Sequence, residues 1–197
     1  MDHQTIATYN ALAKEYDEET IDFWDLFPKT FINKFIELSG TSILDIGSGP
    51  GRDGLLLQAA GKDVTCIDAS EEMIKLSSSR GLKSIQADFN SLPIEDSSVD
   101  AVWCYTTLLH TSKKAIDTPL SEIARVLQPS GIFAVGLIEG TTEEYKKSSG
   151  VQLLRLFSFY QKEEFIQIAQ QHGFELVYFE EFMPRSKNYL NFIFKKI

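Results

Sequence analysis

The stretch that most limits this chain is Ile43-Leu44-Asp45-Ile46-Gly47-Ser48-Gly49-Pro50-Gly51-Arg52. A hydrophobic strand pattern ends with an acid, and three glycines at every second position then lead into a helical pattern. Glycine accepts the left-handed backbone of a sharp turn and lets a ligand lie against the chain, while the following helix opens with unpaired N–H groups. The junction reads as a turn that cradles a cofactor. The dinucleotide fingerprint G-x-G-x-x-G would need its third glycine at position 52, where this chain has Arg52. The pattern present is D-x-G-x-G-x-G, which alone also suits a purely structural strand-to-helix turn.

From Ile43 onward, short apolar runs alternate with helical patterns, as in βαβ units with a parallel sheet. Strands are predicted at 42–46, 63–67, 83–87, 99–104, 131–138, 175–182 and 189–197. Several are continuously apolar, as strands covered on both faces should be. A helix over 52–60 stops at Gly61, and Ser70 caps one whose first turn holds Glu71 and Glu72. Thr118-Pro119 predicts an N-cap and first helical position for a helix burying Leu120, Ile123, Ala124 and Leu127. A further helix over 162–172 is closed by Gly173, with His172 as a cation at its end.

The first forty or so residues show helical spacing and no strand pattern. Phe27, Phe31 and Phe35 recur at i, i+4, i+8 with Pro28 near the helix start, and Tyr9 and Tyr16, seven apart, would share one face. Residues 140–160 read as an inserted cap segment. The 197 residues are expected to form one domain over 1–197, with 1–40 as a helical cap.

With 19 Lys+Arg against 28 Asp+Glu the net charge is −9, which repels phosphate backbones, so a nucleic-acid partner is disfavoured. Lys113-Lys114, Lys146-Lys147 and Lys195-Lys196 are pairs, not runs. No apolar stretch is long enough to span a bilayer, and the first twenty residues lack a signal-peptide pattern, so a cytoplasmic protein is expected. Neither metal-ligand spacing nor a Gly-Lys-Ser/Thr phosphate loop is present.

The D-x-G-x-G-x-G stretch resembles motif I of the class I S-adenosylmethionine-dependent methyltransferases. Asp68 ends the second strand about twenty residues after the first glycine, where an acid bonds ribose hydroxyls. Asp88, in Gln86-Ala87-Asp88-Phe89, resembles the family acid that binds the adenine amino group. Leu92-Pro93-Ile94, Ser98-Val99-Asp100-Ala101-Val102 and Glu122-Ile123-Ala124-Arg125-Val126-Leu127-Gln128-Pro129-Ser130-Gly131 resemble stretches of the small-molecule group related to quinone-biosynthesis C-methyltransferases. Gln128 and Ser130 depart from that group's pattern.

The resemblance implies an α/β, Rossmann-like fold with a seven-stranded mixed sheet, strand order 3-2-1-4-5-7-6, last strand antiparallel, and helices on both faces. It implies S-adenosylmethionine as cofactor, S-adenosylhomocysteine as product and a small-molecule methyl acceptor. Asp45 would orient the turn or the donor's amino group, Gly47 and Gly49 would admit the methionine part, Asp68 would hold the ribose and Asp88 the adenine. Ser48, Ala69 and Phe89 complete the cofactor set, with Met73 near the adenine. Cys104 and Tyr105, ending the fourth strand, would border the methionine portion.

Tyr9, Tyr16, Phe157, Phe159 and Tyr160 could close over the site or belong to the core. His110 could act as a base or orient the acceptor, or could cap the next turn. Cys66 and Cys104 stand on strands separated by another in this order, roughly 9 to 10 Å apart, which is too far for a disulfide. Three alternatives stay open: a NAD-dependent oxidoreductase, disfavoured by Arg52 and the second acid; a non-catalytic cofactor-binding module; and a tRNA-modifying enzyme, which would need Lys113, Lys114, Lys146 and Lys147 clustered beside the pocket.

Overall fold

A computed structural model describes residues 2–26, 29–147, 153–184 and 186–197. Four helices come first: α1 (His3–Ala11), α2 (Ala13–Glu19), α3 (Phe23–Leu26) and α4 (Thr30–Leu38). Asp2 starts α1 by accepting from Thr5 N at 2.8 Å. The shared helical face expected for Tyr9 and Tyr16 is interrupted, because the chain leaves helical geometry at Leu12. Phe27 and Pro28 lie outside the described residues, while Phe31 and Phe35 are fully buried on α4.

The alternating part runs β1 (Ser42–Ile46), α5 (Arg52–Ala59), β2 (Asp63–Asp68), α6 (Glu71–Ser79), β3 (Lys83–Gln86) and β4 (Val99–Tyr105). Two short 3-10 turns, Leu108–His110 and Lys113–Ala115, lead to α7 (Asp117–Val126) and β5 (Leu127–Ile138). Then come β6 (Glu143–Lys147), β7 (Leu154–Ser158), α8 (Lys162–Gln171), β8 (Phe174–Phe182) and β9 (Tyr189–Lys196). One sheet has the order β3-β2-β1-β4-β5-β9-β8, with β9 antiparallel to both neighbours. Counting only its own strands, this is 3-2-1-4-5-7-6.

Each face of the sheet carries its own apolar layer, which is why β4 from Ala101 to Tyr105 and β5 from Gly131 to Ile138 run without a polar side chain. Phe31, Ile32 and Phe35 of α4 pack with Ile43, Trp103 and Ala134 on one face. Leu120, Ile123 and Val126 of α7 pack with Leu44, Val102 and Phe133 on the other. Helix α7 begins one residue before Thr118, and Thr118 makes no side-chain cap. Pro119 still falls in the first turn, where its missing N–H costs nothing. Leu127 is buried as the opening residue of β5, not inside the helix.

The inserted segment holds a hairpin: β6 and β7 pair antiparallel in a two-stranded sheet of their own. This hairpin is tied to the N-terminal helices. Leu156 N donates to Thr5 Oγ1 at 2.9 Å, and Thr8 Oγ1 donates to Leu154 O at 2.7 Å. Strand order reverses between β1 and β4, and the crevice at their carboxyl ends lies under this combined roof. Among the described residues no helix is long and apolar enough to cross a membrane, and no His/Cys/Asp/Glu group suits a metal ion.

Candidate cofactor and active site

The turn after β1 is pinned to β2, with Gly47 N and Ser48 N both donating to Ile67 O at 2.7 and 3.0 Å. Gly47 sits at φ 68°, and a Cβ there would stand 2.1 Å from Thr107 Oγ1. Gly49, at φ 53°, has no neighbour within 4 Å of such an atom, so its open side is free for a ligand. Its N–H donates to Asp68 Oδ2 at 2.9 Å, while Ser70 N donates to Oδ1 at 2.8 Å. The Asp68 carboxylate is thereby fixed beside the glycine cradle.

A cavity of about 750 Å³, open mouth included, rises from this turn. It brings together nine sequence-predicted residues: Tyr9, Tyr16, Gly47, Ser48, Gly49, Asp68, Met73, Tyr105 and His110. Five others stand outside its lining. Asp45 is buried beneath the turn, 2% exposed, with Cys66 Sγ 3.9 Å from its Oδ2. Cys104 belongs to the core on the opposite face from Tyr105, because successive strand residues point to opposite sides. Phe89 is buried in that same core, and Asp88 Oδ1 accepts from Asn90 N at 2.9 Å. The Ala69 carbonyl accepts from Gln86 Nε2 at 3.2 Å. At this end Asn10 of α1 covers the start of α6, with its Oδ1 accepting from Ser70 Oγ at 2.8 Å.

The floor of the cavity is rich in buried acid. Burial pushes Asp68 up to about 6, against three backbone N–H donors that favour its charged form. Asp45 is held well above the usual carboxylate range by burial and then by the charges of Asp53 and Asp68. Asp53 is raised by burial too. Sequence reasoning did not single it out, yet it lines the cavity and accepts Trp24 Nε1 at 2.6 Å and Trp103 Nε1 at 2.7 Å. Those are the only two tryptophans in the chain, and each is a buried donor that needs an acceptor, which is the one sequence signal pointing to it.

Arg52, in place of a third fingerprint glycine, reaches outward to the N-terminal helices. It donates to Thr20 Oγ1 and to Asp17 Oδ1, both at 2.7 Å. Asp17 also binds Arg80 at 2.6 Å, so α2 is latched to α5 and the end of α6. Tyr9 and Tyr16 meet edge to face at 5.4 Å, and Phe23, Trp24 and Tyr105 continue an aromatic wall around the cavity. Thr20, Thr106 and Thr107 line it as well.

His110 is 4% exposed, and both of its ring nitrogens are engaged. Nδ1 lies 2.6 Å from Leu156 O and Nε2 lies 2.8 Å from Tyr9 Oη. A carbonyl only accepts, so Nδ1 carries the proton and Tyr9 donates to Nε2. Burial lowers the imidazole to about 4, and it stays neutral. Phe157 packs edge-on against His110 at 5.0 Å and stacks on Phe159, whereas Tyr160 is fully buried against Phe165 in the core. Lys113 is paired with Glu164 at 2.8 Å, and none of Lys113, Lys114, Lys146 or Lys147 lines the cavity. Cys66 and Cys104 are free and buried, and His172 bonds Asp117 at 3.0 Å.

Residues 44–135 match the family model described as a methyltransferase domain. The chain is 31% identical over 132 residues to the ubiquinone/menaquinone biosynthesis C-methyltransferase UbiE of Rubrivivax gelatinosus, covering 64% of this chain and 52% of that protein. It is 35% identical over 118 residues to the ubiquinone biosynthesis O-methyltransferase of Xylella fastidiosa, covering 56% and 47%. The chain thus spans about half the length of the curated relatives it matches. Its fold superimposes on 1,6-didemethyltoxoflavin-N1-methyltransferase of Burkholderia thailandensis, solved with bound 1,6-didemethyltoxoflavin and S-adenosylhomocysteine, with a TM-score of 0.78 at 20% identity over 98% of this chain and 87% of that one. Motif, domain match and sheet order are similar to those of the class I S-adenosylmethionine-dependent methyltransferases.

Proposed function

We propose that the chain transfers the methyl group of S-adenosylmethionine to a small-molecule acceptor by in-line displacement, leaving S-adenosylhomocysteine. The observation that carries this reading is Asp68 bonded to Gly49 N at the edge of an open glycine cradle. The residues present fit such a donor. Buried acids at Asp45, Asp53 and Asp68 favour a cationic occupant, and Ser48 Oγ is buried without an oxygen or nitrogen partner among the described residues.

The donor's sulfonium is already an excellent leaving group: the acceptor's lone pair forms the new bond to carbon while the S–C pair returns to sulfur. Alignment and a dry pocket are therefore the protein's main tasks. Asp68 holds the ribose hydroxyls, Gly47 and Gly49 admit the amino-acid part, and Met73 packs near the base. Asp88, just past the end of β3, would hold the adenine amino group. Tyr9, Tyr16 and the β6-β7 hairpin exclude water above, and the chain acts as one catalytic unit. His110, with neither nitrogen free, positions Tyr9 and does not draw a proton from the acceptor.

Calorimetry with S-adenosylhomocysteine tests the reading. Binding that is lost in Asp68→Ala, with NADH inert, is the expected result. No binding in the folded wild type, or preference for NADH, would overturn it.

A further inference from the structure

Lys146 and Arg155 stand directly opposite one another in the β6-β7 register. Like charges in that position destabilise a hairpin unless something compensates. Lys187, in the β8-β9 connection, lies within electrostatic reach of both. Three cations therefore converge in a chain whose net charge is −9. Lys146 has one exposed carboxylate partner, Glu144, at 3.3 Å. Arg155 has no carboxylate partner among the described residues, and its Nε is buried without any hydrogen bond. A buried guanidinium donor without an acceptor is costly, and it signals a group still to come.

Arg155 also faces the cavity's wall. Its guanidinium lies over the rings of Tyr9 and Phe157 at 5.1 and 5.3 Å, and it donates to Tyr9 Oη at 2.8 Å. Tyr9 and its partner His110 both line the cavity. The fork is planar and held by two rings and a hydroxyl, so its remaining N–H groups are presented in fixed directions.

We propose that Arg155, assisted by Lys146 and Lys187, forms an oxyanion subsite beside the cavity, which makes the methyl acceptor a small molecule bearing a carboxylate or phosphate group. The subsite rests on the methyl-transfer reading for the identity of its occupant as acceptor. It anchors the charged end of that molecule against the β6-β7 hairpin and leaves the nucleophilic end to the aromatic wall. An anionic acceptor also suits a site in which His110 has no free nitrogen. The arrangement gives the hairpin a role in choosing substrates as well as in closing the roof.

The test is titration of the protein saturated with S-adenosylhomocysteine, using phenyl phosphate and benzoate as probes and benzamide as the neutral control. The expected result is that at least one anion binds, benzamide does not, and affinity falls with ionic strength. Arg155→Gln should weaken the anion about tenfold or more, as loss of a charge-assisted bond does, and Arg155→Lys should recover part of it. Lys187→Gln, at an exposed position that does not contact the cavity, should weaken it by a smaller factor. The two anion arms separate carboxylate from phosphate recognition. Equal binding of anions and benzamide, binding of neither anion, or unchanged anion affinity in both Arg155→Gln and Lys187→Gln would overturn the subsite. Failure of S-adenosylhomocysteine itself to bind would instead overturn the methyl-transfer reading.

Discussion

The Tyr9 hydroxyl donates to Nε2 of His110 across 2.8 Å, joining the first helix to the turn after β4. The proton order around this bond is set from both sides. Leu156 O demands a proton on Nδ1, and Arg155 donates into Tyr9 Oη, leaving the hydroxyl proton for the imidazole. His110 is thus a neutral strut between cap, hairpin and sheet. Ring-resolved NMR should show the Nδ1–H tautomer persisting as pH falls to about 4, where burial has placed its titration. The native state then binds fewer protons than the unfolded chain between about 6.5 and 4, so this contribution to stability is lost as pH falls through that window. A titration near 6.5, or a rate that rises through 6.5 and loses that step in His110→Ala, would restore the general-base role.

In the function proposed above, Asp68 makes cofactor affinity depend on pH. Its carboxyl is pushed up to about 6 by burial, and ribose hydroxyls donate best to the ionised form. Protons therefore compete with the ligand below that value. S-adenosylhomocysteine should bind several-fold more weakly at pH 5 than at pH 7, and Asp68→Asn should flatten that part of the curve. For the free protein the sign is reversed. Native Asp68 keeps its proton between about 4 and 6 while the unfolded chain gives it up, so its contribution to stability falls as pH rises across that window.

Asp53 has a structural task as heavy as its place in the cavity. Two indole N–H groups, on α3 and β4, converge on its two oxygens. Asp53→Ala leaves both donors inside an aromatic cluster without an acceptor, at roughly 1–3 kcal/mol each. Urea denaturation should show a loss of about 2–6 kcal/mol with an unchanged slope. Trp24→Phe removes one donor together with its bond, so it should cost less than Asp53→Ala.

The floor of the site is legible in the sequence because its signals are local. Glycines 47, 49 and 51 occupy alternate turn positions with positive φ, and Asp68 ends the strand that pins the turn. The roof is far less legible. Strand β6 is exposed at every position, so its Glu-Glu-Tyr-Lys-Lys run carries no apolar alternation, and the hairpin forms through β7 and its bonds to α1. Asp53 is equally silent, since nothing beside it in the chain shows that both tryptophans will reach it. Tyr160 shows the reverse failing: an aromatic that suits a lid by composition is core by packing.

Gly47 and Gly49 separate folding from binding within a single turn. Both have positive φ, so an alanine at either pays about 1–2 kcal/mol for left-handed backbone. At Gly47 the added carbon would also overlap the Thr107 side chain, with contacts of 2.1 and 2.2 Å, and Thr107 is itself buried between the turn and β4. Gly47→Ala should therefore lower Tm by many degrees, and its loss of ligand binding would follow from a displaced turn. At Gly49 the carbon meets no protein atom within 4 Å and occupies the space a ligand would use. Gly49→Ala should melt only a few degrees early, from the backbone cost alone, while losing S-adenosylhomocysteine affinity by more than about tenfold, a loss of over 1.4 kcal/mol. A Gly49→Ala protein that melts early but binds normally would place the ligand elsewhere than against this cradle.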